Sequence, residues 1–524
     1  MHFSIPDTQE LKDESGSTYV AYNIHVNGSF HCAVRYKQLH SLHDQLKKVF
    51  GSAALPPFPP KKLLPLTPTQ TEERRGFLEK YIQLASQDAR VSSDEAFTGF
   101  LLSAQQETMG APPKEVDFDV FLMNWQKVTV SVLSTDPTDV VMDAVAREIG
   151  LPQDLICYFA LFLVKREDAD IIIQKRLENF EAPYLSQTSA GPGHCIVIRK
   201  SYWDSGWDDA LMDDRIALNL AYVQTLSDVE RGWVVVPKDT QRQLATLQAK
   251  GSKKEYLQLA RTLKYYGYLQ FAPCFCDYPQ PDTRVLISAG GRELNFRLAL
   301  AQDQYKEISF RVTRIRCWRI TTALSPVLRG LAKPITFANG DVITDEAQTK
   351  EAELKRCQWK TSVTDKVIDH ANGECSGNSQ SSDGKHQRLE LSFEYLMSKN
   401  KLQWITVVSS QAILLSVCLQ GMVGELLLKK QGANRPQNNN TRQRPGSGRR
   451  GSWSFLKRDG SSYQISVSRS ASTDGIVHET REDGKSRTRE TTRKHSDPKR
   501  NSGIMSPKAT MENDAFEGIG DDDL

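Results

Sequence analysis

Apolar and polar residues alternate in two short runs near the start of the chain, and this pattern predicts β-strands. The runs cover residues 19–26 and 30–34, and Asn27-Gly28 lies between them. An Asn-Gly pair between alternating runs favours a tight hairpin, because the turn needs residues that accept positive φ angles. The chain is therefore expected to open on a β-hairpin.

Helical spacing follows this hairpin. Apolar residues recur every three or four positions over 39–49, which predicts a helix. The proline-rich stretch 56–60 predicts a stiff, extended loop. A second helix is expected to begin near Thr69, with Glu72 completing a capping box. Together these elements predict a small α+β unit over residues 1–108.

A second unit, residues 115–200, has the order strand, strand, helix, strand. Its helix is expected over 138–149, because Gly150 follows the last apolar position of the helical pattern. Its last strand is the apolar run 158–164. This order is typical of a ubiquitin-like roll. Residues 201–270 carry helical patterns throughout and predict a helical lobe.

The pattern changes to β-strands in residues 271–430, and an apolar helix is expected at the end, over 411–430. This order predicts a β-sandwich closed by one helix. Residues 321–388 interrupt the lobe with a long stretch of no firm periodicity, soon after Trp318. The sequence leaves open whether this insert is folded, a splice variant or an error of the gene model.

The remaining residues, 431–524, are expected to form a disordered tail. Up to about Met511 they consist largely of Ser, Thr, Arg, Asn and Gly, which cannot bury a core. The final residues are acidic, and Phe516, Ile519 and the terminal Leu524 interrupt the charge. That arrangement predicts a short linear binding motif. An acidic, solubilising tail remains the alternative.

Composition narrows the function classes. The chain has 524 residues, 39% hydrophobic and 25% charged, with a formal net charge of +3. This length allows roughly three or four domains, and the charge is too balanced for a protein that coats nucleic acid. The start of the chain lacks the pattern of a signal peptide. Its nine cysteines are scattered and are expected to be reduced thiols of a cytosolic protein.

No catalytic or metal-binding motif is found, so neither an enzyme nor a bound cofactor is expected. Residues 405–424 carry no charge and are long enough to cross a bilayer. The span nevertheless contains several polar side chains, and Ser409-Ser410 divides a strand-like half from a helical half. A transmembrane helix is therefore not expected.

Three cations and one aromatic residue stand at the ends of the first unit's elements. Arg35 and Tyr36 follow the hairpin, Lys61 follows the proline-rich loop, and Arg74 lies on the apolar side of the second helix. Together they predict a pocket for a phosphorylated ring, because arginine forks a phosphate and tyrosine packs on a ring. Arg74 taken alone also fits an arginine that extends its head to water.

The same order of elements resembles a phox-homology (PX) domain. This resemblance implies binding of phosphatidylinositol 3-phosphate in endosomal membranes. It implies that Arg35 binds the 3-phosphate, Tyr36 stacks on the ring, Lys61 contacts the 1-phosphate and Arg74 binds the inositol hydroxyls. Many members carry a further arginine where this chain has Val34, and its loss predicts a weaker site.

The following lobes resemble a FERM module, whose third lobe has a PTB/PH-like β-sandwich with a C-terminal helix. A PX domain followed by a FERM-like module resembles one subfamily of sorting nexins. Four sequence runs carry that resemblance: Lys200-Ser201-Tyr202-Trp203-Asp204-Ser205, Phe310-Arg311-Val312-Thr313-Arg314, Phe393-Glu394-Tyr395-Leu396-Met397-Ser398-Lys399 and Phe516-Glu517-Gly518-Ile519-Gly520.

The closing helix has an apolar surface wider than one packing contact needs, because Val423 and Leu427 extend its main stripe. A wide core-facing helix is one explanation. The other is a groove in which an extended peptide adds a strand to the sheet. The resemblance implies that this peptide is an Asn-Pro-x-Tyr or Asn-x-x-Tyr motif, and that Trp318, Leu396, Val423 and Leu427 line the groove.

The resemblance as a whole implies a non-enzymatic cargo adaptor on the cytoplasmic face of early endosomes. It would bind receptor tails of the LDL-receptor family and integrin β chains and return them to the cell surface. Its tail, through Phe516, Ile519 and Leu524, would bind the retriever complex. The alternative is a FERM-type linker between membrane proteins and the cytoskeleton or small GTPases.

Overall fold

The computed structural model describes the folded domains and three short stretches of the tail. The described residues are 1–13, 15–62, 64–167, 170–299, 305–324, 387–399, 401–433, 436, 450–456, 462–468 and 510–517. They form an N-terminal α+β domain followed by three lobes.

In the N-terminal domain a small antiparallel sheet packs against helices. Strand β3 lies at its centre, with β4 along one edge and with β1 and β2 sharing the other. The elements are β1 (Phe3–Ser4), β2 (Thr8–Lys12), β3 (Thr18–Val26), β4 (Ser29–Arg35), α1 (Tyr36–Phe50), α2 (Pro68–Ala85), α3 (Ala89–Ser92) and α4 (Glu95–Met109).

The predicted hairpin is β3–β4. Its turn residues Asn27 and Gly28 have φ angles of 49° and 85°, as this type of tight turn requires. The predicted cap of α2 is wrong by two residues. Thr67 caps the helix and exchanges hydrogen bonds with Gln70, because Pro68 suits the first helical position and starts the helix earlier.

The first lobe is a five-stranded sheet in the order β6-β5-β9-β7-β8, with β5 and β9 parallel. It contains the predicted strands and helix together with β8, α6 and β9, which the sequence pattern did not predict. Its elements are β5 (Glu115–Phe121), β6 (Lys127–Leu133), α5 (Thr138–Ile149), β7 (Phe159–Glu167), β8 (Asp170–Arg176), α6 (Pro183–Ala190) and β9 (His194–Lys200).

Strand β7 is apolar on both faces because it contributes to two cores. Phe159, Leu161 and Leu163 pack in a core shared with the second lobe. The alternate residues Phe162 and Val164 pack in a core shared with the third lobe. The continuous apolar run at 158–164 therefore marks the point where the three lobes meet.

Helices α7 (Arg215–Glu230), α8 (Lys238–Ala249) and α9 (Lys253–Ala260) make up the second lobe. The third lobe is an antiparallel sheet closed by helix α10. Its elements are β10 (Leu269–Gln270), β11 (Cys274–Cys276), β12 (Thr283–Gly290), β13 (Glu293–Ala299), β14 (Tyr305–Arg311), β15 (Ile315–Leu324), β16 (Gln387–Ser398), β17 (Lys401–Val408) and α10 (Ala412–Lys430).

The predicted insert 321–388 joins two neighbouring strands. Its first and last residues belong to β15 and β16, which pair as far as Leu324 and Gln387. The rest of the insert lies outside the described residues.

The tail differs from the prediction in two places. Strands β18 (Arg450–Leu456) and β19 (Ser462–Ser468) form a hairpin, and β18 lies against α1. Strand β20 (Thr510–Glu512) joins the third lobe as the last strand beyond β15. Low apolar content does not prevent a short segment from pairing with an existing sheet edge, because the sheet supplies the partner.

Helix α10 is the single helix within the described residues that is long and apolar enough to cross a bilayer. Of the residues in its most apolar stretch, 61% are buried in the fold. The helix therefore belongs to the core of the third lobe.

The N-terminal domain packs on the first lobe through polar contacts. Asn27 Nδ2 donates to Glu178 Oε1 at 2.8 Å, and Gln105 Oε1 accepts from the Ala182 backbone at 2.8 Å. Lys175 and Glu181 form a buried ion pair beside them. Breaking such a pair is costly, because it leaves an uncompensated buried charge. This interface holds the N-terminal domain against the lobes.

Candidate functional site

The junction of β4 and α1 holds the first two residues of the predicted lipid pocket. Arg35 ends the strand and Tyr36 begins the helix. The Arg35 backbone N–H donates to Gln38 Oε1 at 2.8 Å and so closes the first turn of α1. Both side chains therefore project from an ordered corner of the domain.

Tyr36 connects the other two elements of the pocket. Its hydroxyl donates to the Pro59 carbonyl at 2.7 Å, and the Arg74 guanidinium lies 4.3 Å from its ring centroid. Lys61 follows Pro59 by two residues and is exposed. Burial raises the pKa of Tyr36, and the Arg74 charge opposes that rise. The structure thus brings Tyr36, Arg74 and the loop before Lys61 together.

One nitrogen of Arg74 could donate a hydrogen bond to a ligand. Nη2 is buried and has no hydrogen-bond partner among the residues that the structure describes. A buried donor without an acceptor costs free energy. A ligand oxygen placed against the Tyr36 ring would supply the missing acceptor.

Arg35 has partners within the chain. Its Nη1 lies 3.8 Å from Asp13 Oδ2, and its guanidinium lies 4.0 Å from the Tyr19 ring centroid. A hydrogen bond from Ser15 lowers the pKa of Asp13, which keeps that carboxylate charged. A phosphate would therefore compete with Asp13 for Arg35. The sequence pattern had not pointed to Asp13 or Tyr19.

A second candidate site lies between β15 and α10. Trp318 is 2% exposed, and its Nε1 donates to Ser416 Oγ on α10 at 3.0 Å. The same face of α10 carries residues at helical spacing along the groove: Ser416, Gln420, Val423, Leu427 and Lys430. Val423 is buried, and Leu427 packs partly buried against the same core.

The chain's own tail fills this groove. β20 pairs antiparallel with β15 in the register Cys317–Glu512, Trp318–Met511 and Arg319–Thr510. The Met511 sulfur accepts from Gln420 Nε2 at 2.7 Å. An extended segment therefore adds a strand to the sheet beside α10, the binding mode predicted for a peptide.

Asn513 fixes the segment after β20. Its Nδ2 donates to the carbonyls of Val312 and Ile315 at 2.8 and 2.6 Å, and its backbone N–H donates to Arg316 O at 3.1 Å. Phe516 N–H donates to Asn513 O at 3.0 Å, which closes a turn over four residues. The asparagine amide thus binds the first residue of β15 and the turn just before it.

The last described residues continue along the groove. Ala515 is 1% exposed, and its N–H donates to Asn513 Oδ1 at 3.0 Å. Phe516 is half-buried. The Glu517 backbone N–H donates to Thr313 O at 2.7 Å, while its carboxylate pairs with Lys430.

Not every predicted residue lines this groove. Leu396 lies on β16, which pairs with the opposite edge of β15, so β15 stands between Leu396 and β20. Of the predicted tail motif, Phe516 lies in the groove, whereas Ile519 and Leu524 lie outside the described residues. Asn513 was missed, although Asn513-x-x-Phe516 has the spacing of the predicted motif.

Polar contacts hold the C-terminal part of α10 against the other lobes. Glu425 accepts hydrogen bonds from the backbone N–H groups of Trp203 and Asp204 at 2.9 and 2.6 Å. Asp204 pairs in turn with Arg292 and Lys429. Burial would raise the pKa of Asp204, but the bonds from Lys429 and Arg292 lower it to about 2. The described residues contain no cluster of potential metal ligands.

Four family models match consecutive parts of the chain. The PX domain matches residues 22–104, and the F1 lobe of the FERM domain of sorting nexins 17, 27 and 31 matches 116–203. The F2 lobe of sorting nexins 17 and 31 matches 204–264, and the sorting nexin 17 FERM C-terminal domain matches 267–332 and 336–427.

Curated relatives agree with these matches. Sorting nexin-17 of Danio rerio is 47% identical over 436 residues, and that of Homo sapiens is 48% identical over 437 residues, each alignment covering 83% of both chains. The chain belongs to the PX-FERM sorting nexins. Sorting nexin-31 of Homo sapiens is 33% identical over 83% of this chain and 88% of its own.

The expected family and fold class are thus confirmed, and the sequence runs at 200–205, 310–314 and 393–399 lie within the residues that the three FERM models match. Among solved structures, a MyTH4-FERM domain of Dictyostelium discoideum myosin VII has a TM-score of 0.36 at 10% identity. That alignment covers 66% of this chain and 72% of that one. The likeness is too distant to add to the family assignment.

Proposed function

We propose that this endosomal sorting nexin is a cargo adaptor that binds Asn-Pro-x-Tyr and Asn-x-x-Tyr motifs and phosphatidylinositol 3-phosphate. In this role it would hold receptor tails at the endosomal membrane and direct them back to the cell surface rather than to lysosomes. Sorting nexins with PX and FERM domains are not known as enzymes, and the role requires no catalysis.

The position of Asn513 and Phe516 in the β15–α10 groove carries this proposal. The groove holds an Asn-x-x-aromatic segment in three ways. The strand before the asparagine pairs with β15, the asparagine amide binds two carbonyls, and the segment closes a four-residue turn. Position 514 is the second residue of that turn, where proline is favoured. The side chain of Asp514 is exposed, so proline meets no obstacle there. Asn-Pro-x-Tyr peptides therefore fit the same path.

The pocket around Tyr36 supports the lipid half of the proposal. It combines a ring for stacking, an unpartnered arginine nitrogen and a nearby exposed lysine. This pocket is also what favours an adaptor over a FERM-type cytoskeletal linker. LDL-receptor-family and integrin β tails are the proposed cargo, and the retriever complex is the proposed partner of the motif Phe516, Ile519 and Leu524.

Binding of a labelled Asn-Pro-x-Tyr peptide to the full chain tests the central claim. Val423→Asp should abolish peptide binding, because it places an unpaired charge beside the segment in the groove. The same variant should bind vesicles containing phosphatidylinositol 3-phosphate normally, since that pocket lies in another domain. Undiminished peptide binding by Val423→Asp would place the cargo site elsewhere.

A further inference from the structure

Two residues of the bound tail segment other than Asn513 and Phe516 make specific contacts with the groove. We infer that the groove also selects a small residue immediately before the aromatic residue and an acidic residue immediately after it. The preferred peptide is thus Asn-x-small-aromatic-acidic. This inference rests on the proposed function and specifies which motifs the site prefers.

The preference for a small residue follows from the burial of Ala515. Its side chain lies in the core that also contains Val312, Ile315 and Trp318. Its backbone cannot withdraw to admit a larger side chain, because hydrogen bonds hold the chain on both sides. Ala515 N–H binds Asn513 Oδ1, and Glu517 N–H binds Thr313 O.

A larger residue at this position would have to enter that core. Interiors are packed to the density of organic crystals, so one extra branched side chain forces its neighbours to shift. Asp514, the preceding residue, is exposed and faces no such limit. The groove therefore discriminates at one position of the turn and tolerates variety at the position before it.

The preference for an acidic residue follows from Lys430. This lysine ends α10 and pairs with the Glu517 carboxylate, while the Glu517 backbone is bound to Thr313. Both side chains of the ion pair are about half exposed, at 54% and 51%. Exposed pairs contribute little and are screened by salt. The acidic preference is thus a modest, salt-dependent addition to the steric one.

The test uses the full chain carrying Asn513→Ala, so that its own tail competes weakly for the groove. The probe is a fluorescent peptide with the sequence of residues 509–518, and binding is followed by anisotropy. Ala515→Ser in the peptide should preserve binding. Ala515→Leu should weaken it about ten-fold or more, the scale expected for overpacking a core. Glu517→Lys should weaken it roughly two- to five-fold at low salt and hardly at high salt.

A charge exchange isolates the Lys430 contact. The Glu517→Lys peptide should bind the Lys430→Glu chain better than it binds the chain with Lys430. Equal binding of the Ala515→Leu and native peptides would overturn the steric preference, and no gain in the charge exchange would overturn the acidic one. If the native peptide itself does not bind, the proposed cargo function fails instead.

Discussion

The indole of Trp318 donates a hydrogen bond to Ser416, and this bond joins β15 to α10 beneath the tail segment. Trp318 was expected to be a peptide anchor within the groove. Its side chain is buried, while its backbone pairs with Met511. The side chain of Trp318 therefore supports the groove from the core, while its backbone pairs with the strand that binds there.

This placement predicts that Trp318→Ala destabilises the third lobe as well as weakening peptide binding. Removing a large buried aromatic side chain typically costs about 3–5 kcal/mol of the free energy of unfolding. Urea unfolding, monitored by far-ultraviolet circular dichroism, would measure the loss of stability. Ser416→Ala removes this hydrogen bond and the weaker one from Ser416 Oγ to the Met511 sulfur, and it should cost about 1 kcal/mol. An unchanged stability of Trp318→Ala would show that the indole is not part of the core.

The contact between Arg35 and Asp13 predicts that two substitutions change lipid binding in opposite directions. Arg35→Ala should weaken binding to vesicles with phosphatidylinositol 3-phosphate about ten-fold or more, because a charge-assisted contact of about 1.5–3 kcal/mol is lost. Asp13→Asn should strengthen binding, since it removes the internal competitor for the guanidinium. Vesicle sedimentation at fixed salt would measure both. Wild-type binding by Arg35→Ala would exclude it as a phosphate ligand.

Asn513 is expected to control occupancy of the groove by the tail. Asn513→Ala removes the side-chain bonds to two carbonyls and should weaken the docking of β20. Amide hydrogen exchange should then be faster at residues 510–517 and along the β15 edge. Asp514→Ala is a matched control, because its exposed side chain makes none of these bonds. Unchanged exchange in Asn513→Ala would mean that other contacts hold the tail.

Asp204 links stability to pH. Its pKa is lowered from 3.8 to about 2 in the folded chain, so its ionised form stabilises the fold above pH 3.8. That stabilisation is lost as the pH falls from 3.8 towards 2. Asp204→Asn should therefore cost about 1–2 kcal/mol near neutral pH, after allowance for partial exposure. The difference from wild type should shrink below pH 4, and a difference constant down to pH 3 would contradict this assignment.

Local signals in the sequence were enough for much of the fold. Asn27-Gly28 specified its hairpin because the turn chemistry is contained in two residues. The cap of α2 was misplaced because Thr67 and Thr69 offer equivalent hydroxyls, and the choice between them depends on Pro68. The docking of β20 was missed because its partner edge on β15 is distant in the chain. Its Asn-x-x-Phe spacing was nevertheless visible in the sequence.

The residues of the predicted lipid pocket were likewise found from the sequence only in part. Arg35, Tyr36, Lys61 and Arg74 were identified from their positions at the ends of elements, and the structure brings Tyr36, Arg74 and the loop before Lys61 into contact. Asp13 could not be found in this way. It reaches Arg35 only because β2 and β4 pair with the two edges of β3, which is a consequence of sheet order rather than of local pattern.

Under the proposed function, the docking of β20 beside α10 would also set a threshold for cargo binding. A competitor tethered to the same chain acts at a high effective concentration, which falls as the tether lengthens. A single receptor tail at low density would then displace the tethered segment rarely, even if its intrinsic affinity were good. Receptor tails crowded on one patch of membrane would reach comparable local concentrations. Under the proposed function, the adaptor would respond to the surface density of its cargo rather than to the total amount.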